Sequence, residues 1–304
     1  MNLVWVNKTG DNWVALCPFC LKRHGSRDET GHLYVEHEQG LYYCFRCQAG
    51  GKLSPQSTPE TPKLNGPRPV VSKVACEGFP PGTRTIEGYN SESHNDPTYL
   101  KAVSYLKSRR VTEEQARNFK LCYCTEGLYK DRLIIPVFQF GKIAYYMARA
   151  LNDHPVRYFN PKGVSRRGKL FNIDQAVRVA KAWNLPIVLC EGAFSAMRVG
   201  YHAVASLGKE LDEVQAVLLA SYGLPVVVLY DEGAEKDSQR AAQELHSWGT
   251  DVRVATCPIP DPGWCQPSDL GKKADPGVCN PRDLEKAVLE AVRYDPMDRL
   301  KGVL

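Results

Sequence analysis

The chain has 304 residues, 43% of them hydrophobic and 24% charged, with 39 Lys/Arg against 34 Asp/Glu. That length suffices for one large or two modest domains with buried cores, and the apolar content excludes disorder as the default state. No apolar run approaches the roughly 18 residues of a membrane span and no long hydrophobic segment follows the first methionine, so a soluble, cytoplasmic protein without membrane contact is expected.

The charge is unevenly divided. Residues 97–182 carry seventeen Lys/Arg and six Asp/Glu, a balance of +11, whereas residues 183–304 carry twelve and eighteen, a balance of −6. A basic middle before an acidic end suits a protein that grips polyphosphate or nucleic acid with one part and divalent metal with the other; two solvated surfaces that merely differ are the alternative. Eleven cysteines, an odd number in a chain of this size, point to metal binding and buried thiols rather than to a disulfide framework.

From the amino terminus, Cys17-Pro-Phe-Cys20 and Cys44-Phe-Arg-Cys47 form two Cys-x-x-Cys knuckles with 23 residues between them. Such knuckles aim four thiolates at one tetrahedral Zn²⁺, and a redox pair would not need the second. The intervening HLYVEHEQGLYYC alternates like a hairpin turning at Glu38-Gln39-Gly40. Residues 1–51 therefore read as a small β zinc ribbon whose fold depends on the metal. His24, His32 and His37 could replace a thiol but are not needed. Arg23 and Arg46, with Lys22, Arg27 and the aromatics Tyr34, Tyr42, Tyr43 and Phe45, suit single-stranded nucleic acid, although some of these rings must serve the ribbon's own core.

Residues 52–96, with prolines at 55, 59, 62, 67 and 69, read as a linker. Order resumes with a helix from Pro97, and a second helix opens at Thr112, with Gln115 placed for a capping box. DRLIIPVFQFGKIAYYMARAL reads as a hairpin turning at Gly141-Lys142, with Pro136 marking an edge or bulge. Beyond residue 185, strands at 187–190, 203–206, 226–230 and 252–255 alternate with helices near 193–200, 210–221, 237–248 and 282–293. That alternation implies a parallel sheet with helices on both faces and a ligand site beyond the strands' carboxyl ends. The fold class is α/β.

Glu191 and Asp231 stand at two such ends. Neighbouring strands lie about 4.8 Å apart, so tip carboxylates can share Mg²⁺, and Asp269 follows a later strand. A lone Glu191 could instead favour a helix amino terminus; two tips in one sheet make the metal cluster the better reading.

The same residues resemble a known family. CEGAFSAM is similar to the Glu-Gly-x-x-Asp-Ala motif of the TOPRIM fold, with Ser195 where aspartate is frequent, and YDEGAEKDSQRAA to its Asp-x-Asp motif. AVASLG resembles the strand and turn between them. CPFC with YYCFRCQAGG resembles the zinc ribbon of bacterial and phage DNA primases. YLKSRRVTEEQARNFKLCYC, KDRLIIPVF, YYMARAL, RYFNPKG and RGKLFN resemble, in order, the lead-in and basic motifs of their polymerase core. The resemblance implies a phage-like primase without an attached helicase, residues 97–184 being the basic part of the core and 185–304 the TOPRIM domain with a final helix. It further implies RNA primer synthesis on single-stranded DNA from ribonucleoside triphosphates, with a replicative helicase as a further partner and, if phage-encoded, action in the host cytoplasm.

By that resemblance Glu191, Asp231 and Asp269 are the catalytic residues, holding Mg²⁺ or Mn²⁺, and Arg132, Arg149, Arg157, Lys162, Arg167 and Lys169 grip nucleotide or the template–primer duplex. The chain departs from the pattern at Gly233, where the second aspartate of Asp-x-Asp falls. Glu232, Glu235 or Asp237 could supply that oxygen ligand, Glu232 being the one assigned here. Asp261 and Asp275 are candidates for the earlier aspartate of the third acidic motif. The competing readings are a non-catalytic nucleic-acid-binding replication protein and a TOPRIM nuclease.

Overall fold

The computed structural model describes residues 3–9, 12–29, 31–36, 41–44, 46–47, 49–52, 76, 78–90, 95–271 and 273–296. Two compact units are present, Met1–Lys73 and Val74–Leu304.

The first unit is an antiparallel meander of β1 (Val4–Thr9), β2 (Asn12–Leu16), β3 (Leu33–Glu36), β4 (Leu41–Cys44) and β5 (Gly50–Lys52), paired in that order, with a short helix α1 (Cys20–His24) after β2. Leu33 and Val35 are buried while Tyr34 between them is half-buried, the two-residue period of a sheet with one covered face. The buried set is small: Ala15, Leu33, Val35, Ala49 and three of the four knuckle cysteines. Tyr42 stacks on Phe19 with ring centroids 5.9 Å apart, so this ring serves the core. The predicted turn at Glu38-Gln39-Gly40, as well as His37, Phe45 and the side chains of His24 and Tyr43, lie outside the described residues.

In the second unit α2 (Pro97–Ser108) begins where Asp96 accepts hydrogen bonds from the N–H groups of Thr98 and Tyr99 and Pro97 fills the first helical position. In α3 (Glu113–Asn118), Thr112 and Gln115 form the predicted reciprocal capping box. These helices join a five-stranded antiparallel sheet of β6 (Thr83–Thr85), β7 (Cys122–Cys124), β8 (Arg132–Gln139), β9 (Lys142–Ala150) and β10 (Tyr158–Phe159), in the order β10-β9-β8-β7-β6. The β8–β9 hairpin turns at Phe140 and Gly141, with φ of 54° and 74°, one residue earlier than expected. Their N–H groups donate to the two carboxylate oxygens of Asp174 at 2.9 and 2.8 Å. Pro136 sits in an interior strand. β7 pairs β8 only through Arg132–Ile134, so no ladder hydrogen bond is asked of the proline on that side, and the register slips between Val137 and Phe138.

The second sheet has the order β12-β11-β13-β14-β15: β11 (Ile187–Cys190), β12 (Ala203–Ala205), β13 (Val226–Val228) and β14 (Val252–Val254) are parallel, and β15 (Val292–Arg293) is antiparallel. Ile187, Leu189, Val226, Val228 and Tyr230 pack with residues of α4 (Ile173–Trp183), α6 (Glu213–Ala220) and α7 (Glu235–Ser247). Val188, Cys190, Val227 and Leu229 pack on the other face with α5 (Ala193–Val199), α8 (Pro281–Leu289) and the antiparallel sheet's apolar side. Both faces are covered, which is why the strands are uninterrupted apolar runs.

Two boundaries differ from expectation. The stretch read as linker includes β6, which pairs with β7. Residues 173–183, read with the basic region, are a helix whose Ala176, Val177 and Ala180 pack under the parallel sheet. Gly192 caps α5 in an extended conformation, φ −114°, which any residue adopts.

Candidate functional site

At the amino terminus, two strand ends bring the knuckles together. The sulfurs of Cys17, Cys20, Cys44 and Cys47 all lie within 4.8 Å of one another, the one His/Cys/Asp/Glu group among the described residues to do so. A tetrahedral ion with Zn–S about 2.3 Å would set its sulfurs about 3.8 Å apart; Cys17–Cys47 and Cys20–Cys44 are both 3.6 Å. Burial pushes the Cys17 thiol up to about 12, so a cation is what makes the set of thiolates tolerable at neutral pH. The residues fit a structural Zn²⁺.

A support of this site escaped the sequence reading. Asp28 is buried and accepts from the N–H groups of Cys17 (2.8 Å), Gly31 (3.0 Å) and His32 (2.7 Å), and lies 2.7 Å from His32 Nδ1. These contacts hold its carboxyl far below the usual range despite burial. His32 is thereby engaged with Asp28 rather than with the thiols. Arg46 is tied down as well, donating to the Arg27 carbonyl and to Ser26 Oγ at 2.8 and 2.6 Å, while Arg23 is exposed.

In the second unit β11 and β13 are direct neighbours, with Leu189 opposite Val228, so Glu191 and Asp231 leave the sheet side by side. The Asp231 N–H points at the Glu191 carboxylate. Burial, then the charges of Asp275 and Glu191, push the Asp231 carboxyl up to about 7, with Lys209 and Arg109 opposing. Burial also raises Glu191, with Asp237 and Asp275 contributing. Glu191 Oε1 and Asp231 Oδ1 are both buried without a hydrogen-bond partner among the described residues. Oxygens that repel one another and lack donors fit a divalent cation, although no three carboxylates among the described residues converge as the four thiols do.

The third charge felt at this cluster is Asp275. Its Oδ1 accepts from Ser195 Oγ (2.8 Å) and Gly277 N–H (2.7 Å), and its Oδ2 lies 3.8 Å from Arg109 Nη2. Asp269 lines a separate small cleft with Arg109, Arg110 and Arg198. Glu232 is engaged with the loop before Asp275: its Oε2 accepts from Ala274 N–H at 2.7 Å, and its own N–H donates to the Ala274 carbonyl at 2.9 Å. Gly233 has φ +82°, and a Cβ there would stand 2.9 Å from Lys273 Nζ. That turn is the local reason for glycine where an acid was sought.

The basic residues do not act alike. Arg132 is 2% exposed; it donates from Nη1 to the Ala148 and Val156 carbonyls and from Nη2 to Val156, at 3.1–3.2 Å, with Cζ 3.9 Å from the Phe159 ring centroid. It is a fold residue, not one presented to a ligand: β8 is covered on both faces, so its first side chain has nowhere exposed to go. Arg149 is half-buried between Tyr105 and Tyr158, with Cζ 5.5 and 5.1 Å from their rings. Arg157, Lys162 and Arg167 are exposed and Lys169 is half-buried. Arg109, Arg110 and Arg198, close to the acid cluster, went unremarked; Ser108-Arg109-Arg110 lay at a predicted helix end, where exposed bases are ordinary.

Residues 1–55 match the CHC2 zinc finger family. The DNA primase of Treponema pallidum is 24% identical over 320 residues, covering 83% of this chain and 51% of that protein. The chain spans about half the length of the curated relatives it matches. Among solved structures, the zinc-binding and RNA polymerase domains of the Aquifex aeolicus primase align with TM-score 0.53 and 18% identity, over 97% of this chain and 81% of that one. A DnaG primase catalytic domain bound to ssDNA aligns with TM-score 0.52 and 16% identity, over 66% and 75%. No described helix is long and apolar enough to cross a membrane. With its four-thiol ribbon, its mixed core and these relatives, the chain carries the zinc ribbon and the core fold of the bacterial-type DNA primases.

Proposed function

We propose that this protein is a DNA primase, a DNA-directed RNA polymerase that joins ribonucleotides into short primers on single-stranded DNA. The observation that carries the reading is the pair Glu191 and Asp231 at adjacent strand tips, each with a buried oxygen lacking a donor. Glu191, Asp231 and Asp275 would hold Mg²⁺ or Mn²⁺. Asp269, with three arginines about it, and Glu232, engaged with Ala274, are the weaker choices among the acids expected from the sequence. When bound, the cations would polarise the reacting phosphate and lower the pKa of the attacking hydroxyl.

The chain's own residues account for the rest. Ser195 and the Gly277 N–H orient Asp275, and Arg109 and Lys209 offset the acids' charge. Arg149, Arg157, Lys162, Arg167 and Lys169 all fall in one stretch whose exposed members can meet phosphate. The ribbon, through Arg23 and neighbouring aromatics, would engage the template strand. The test is to incubate the zinc-loaded protein with labelled ribonucleotides, Mg²⁺ and single-stranded templates. Short template-dependent RNA supports the reading. Glu191→Gln and Asp231→Asn should abolish it while DNA binding persists, and an unchanged primer yield in both refutes it. A second reading, a DNA-binding replication protein without catalysis, is favoured by Gly233 and by the lack of three convergent carboxylates among the described residues; it requires that wild type make no primer under any template or metal.

A further inference from the structure

Arg110, at φ +53°, is the left-handed residue just past α2, where its N–H and that of Val111 close the helix end on the Lys107 and Leu106 carbonyls. Its guanidinium lies over the Trp264 ring, 4.5 Å from the centroid, and makes no ion pair or hydrogen bond among the described residues. Arg198, half-buried, donates to the Arg109, Arg110 and Gly277 carbonyls at 2.7, 3.4 and 3.3 Å, fixing both neighbours. Burial first, then the charges of Arg110 and Arg109, pull Arg198 down to about 10. Two donors here, Arg109 Nε and Trp264 Nε1, are buried and unpartnered. Three cations thus face two carboxylates, Asp269 in the cleft and Asp275 at its edge, and Asp275 already loads the acid cluster.

We propose that Arg109, Arg110 and Arg198 form an oxyanion site for the terminal phosphates of a nucleoside triphosphate, the part that leaves as pyrophosphate; the nucleotide identity rests on the polymerase reading above. Clustered guanidiniums with idle donors are relieved by phosphate oxygens, which they bind in forked pairs. The cleft is small, with about 20 Å³ of free volume, which suits phosphate oxygens better than a sugar or a base. Arg109 reaches from this cleft to Asp275, which places the site beside the proposed metal ligands.

The test is calorimetric titration of inorganic tripolyphosphate into the full, zinc-loaded chain without added Mg²⁺, wild type against Arg110→Gly. Glycine removes the guanidinium and relaxes the left-handed backbone, so Tm should be unchanged or up to about 3 °C higher. Tripolyphosphate affinity should fall about tenfold, the value of a charge-assisted contact, and binding of an unphosphorylated DNA strand should not change. Equal tripolyphosphate affinity in the two proteins, or a loss confined to the DNA strand, overturns the site. Neither template nor nucleotide joining enters the measurement. A chain that binds tripolyphosphate through Arg110 and makes no primer refutes the polymerase reading alone, and one that makes primers with unaltered KM in Arg110→Gly refutes this site alone.

Discussion

Arg132 offers a sharp separation between a fold residue and a ligand residue. Truncating it to alanine removes three hydrogen bonds to the Ala148 and Val156 carbonyls, the one to Ala148 buried, and a cation 3.9 Å from the Phe159 ring centroid. The buried charge-assisted bond contributes about 1.5–3 kcal/mol and a desolvated cation–π contact about 1–2 kcal/mol more, while the Val156 carbonyl, on an exposed residue, keeps His154 and solvent as partners. A loss of about 4 kcal/mol is therefore expected for Arg132→Ala. In a domain of this size each kcal/mol shifts Tm by about 2–4 °C, so the midpoint should drop by roughly 8–16 °C. Arg132→Lys, which keeps the charge and loses the planar fork, should recover only part of this. The assay is circular dichroism melting of the zinc-loaded chain, alongside nucleotide binding at a temperature where the variant is still folded. Unchanged Tm in Arg132→Ala with weakened nucleotide binding would refute the structural role and return the residue to the ligand site.

The raised carboxyl of Asp231 makes stability depend on pH. Its folded value of about 7, against an ordinary 3.8, means that between those values the folded chain holds a proton the unfolded chain has released, so stability falls as pH rises through that window. Asp231→Asn should accordingly raise Tm by about 2–5 °C at pH 8 without divalent cation, after discounting for solvent, and leave it unchanged at pH 4; parallel curves for the two proteins would sink the argument. Asp275→Asn should weaken Mn²⁺ binding about tenfold by electron paramagnetic resonance, the loss of one charged ligand, while Asp269→Asn leaves it unaltered, and the reverse result would restore the order read from the sequence. Stripping zinc, or Cys44→Ala, should unfold the five-stranded ribbon and spare the second unit, because structural zinc contributes on the order of 10–16 kcal/mol to modules of this kind. Amide exchange measured separately over each unit checks it, and a protected β2–β3 pair after chelation contradicts it.

Those outcomes also mark what sequence can and cannot carry. Strand 187–190, and the strand read as 226–230 and found at Val226–Val228, were legible because burial on both faces leaves only apolar letters, and the Thr112–Gln115 box because capping is local. β6 was hidden: Thr83-Arg84-Thr85 is polar, at the sheet's edge, and follows a proline-rich stretch. Helix α4 carried a readable pattern, with Ile173, Ala176, Val177 and Ala180 at helical spacing, but it follows the basic motifs directly and no capping side chain marks its start. β15 has two exposed residues, too few for any pattern. Within the site, Glu191 and Asp231 were readable from the rule that ligands collect beyond parallel strand ends. Arg132 was misread because sequence gives the presence of a charge, not that its strand is covered on both faces. Arg110 went unnoticed because a positive φ leaves no mark in a sequence unless the residue is glycine.

If Glu191, Asp231 and Asp275 hold the cation as proposed, Gly233 and Glu232 account for where the third acid stands. The turn after Asp231 needs a left-handed residue at position 233, and glycine supplies it at the expense of a carboxylate. Glu232 then clamps Ala274 through main chain and side chain together, and Asp275 is the next residue along. At position 195 a serine, shorter than the aspartate of the motif this segment resembles, donates to Asp275 instead of adding a like charge beside it. Two aspartates placed at 195 and 275 would repel across a contact that is now a 2.8 Å hydrogen bond. Serine at 195 and aspartate at 275 are therefore a matched pair: Ser195→Asp alone should push Asp275 away from the cluster, so that adding a carboxylate weakens cation binding rather than strengthening it.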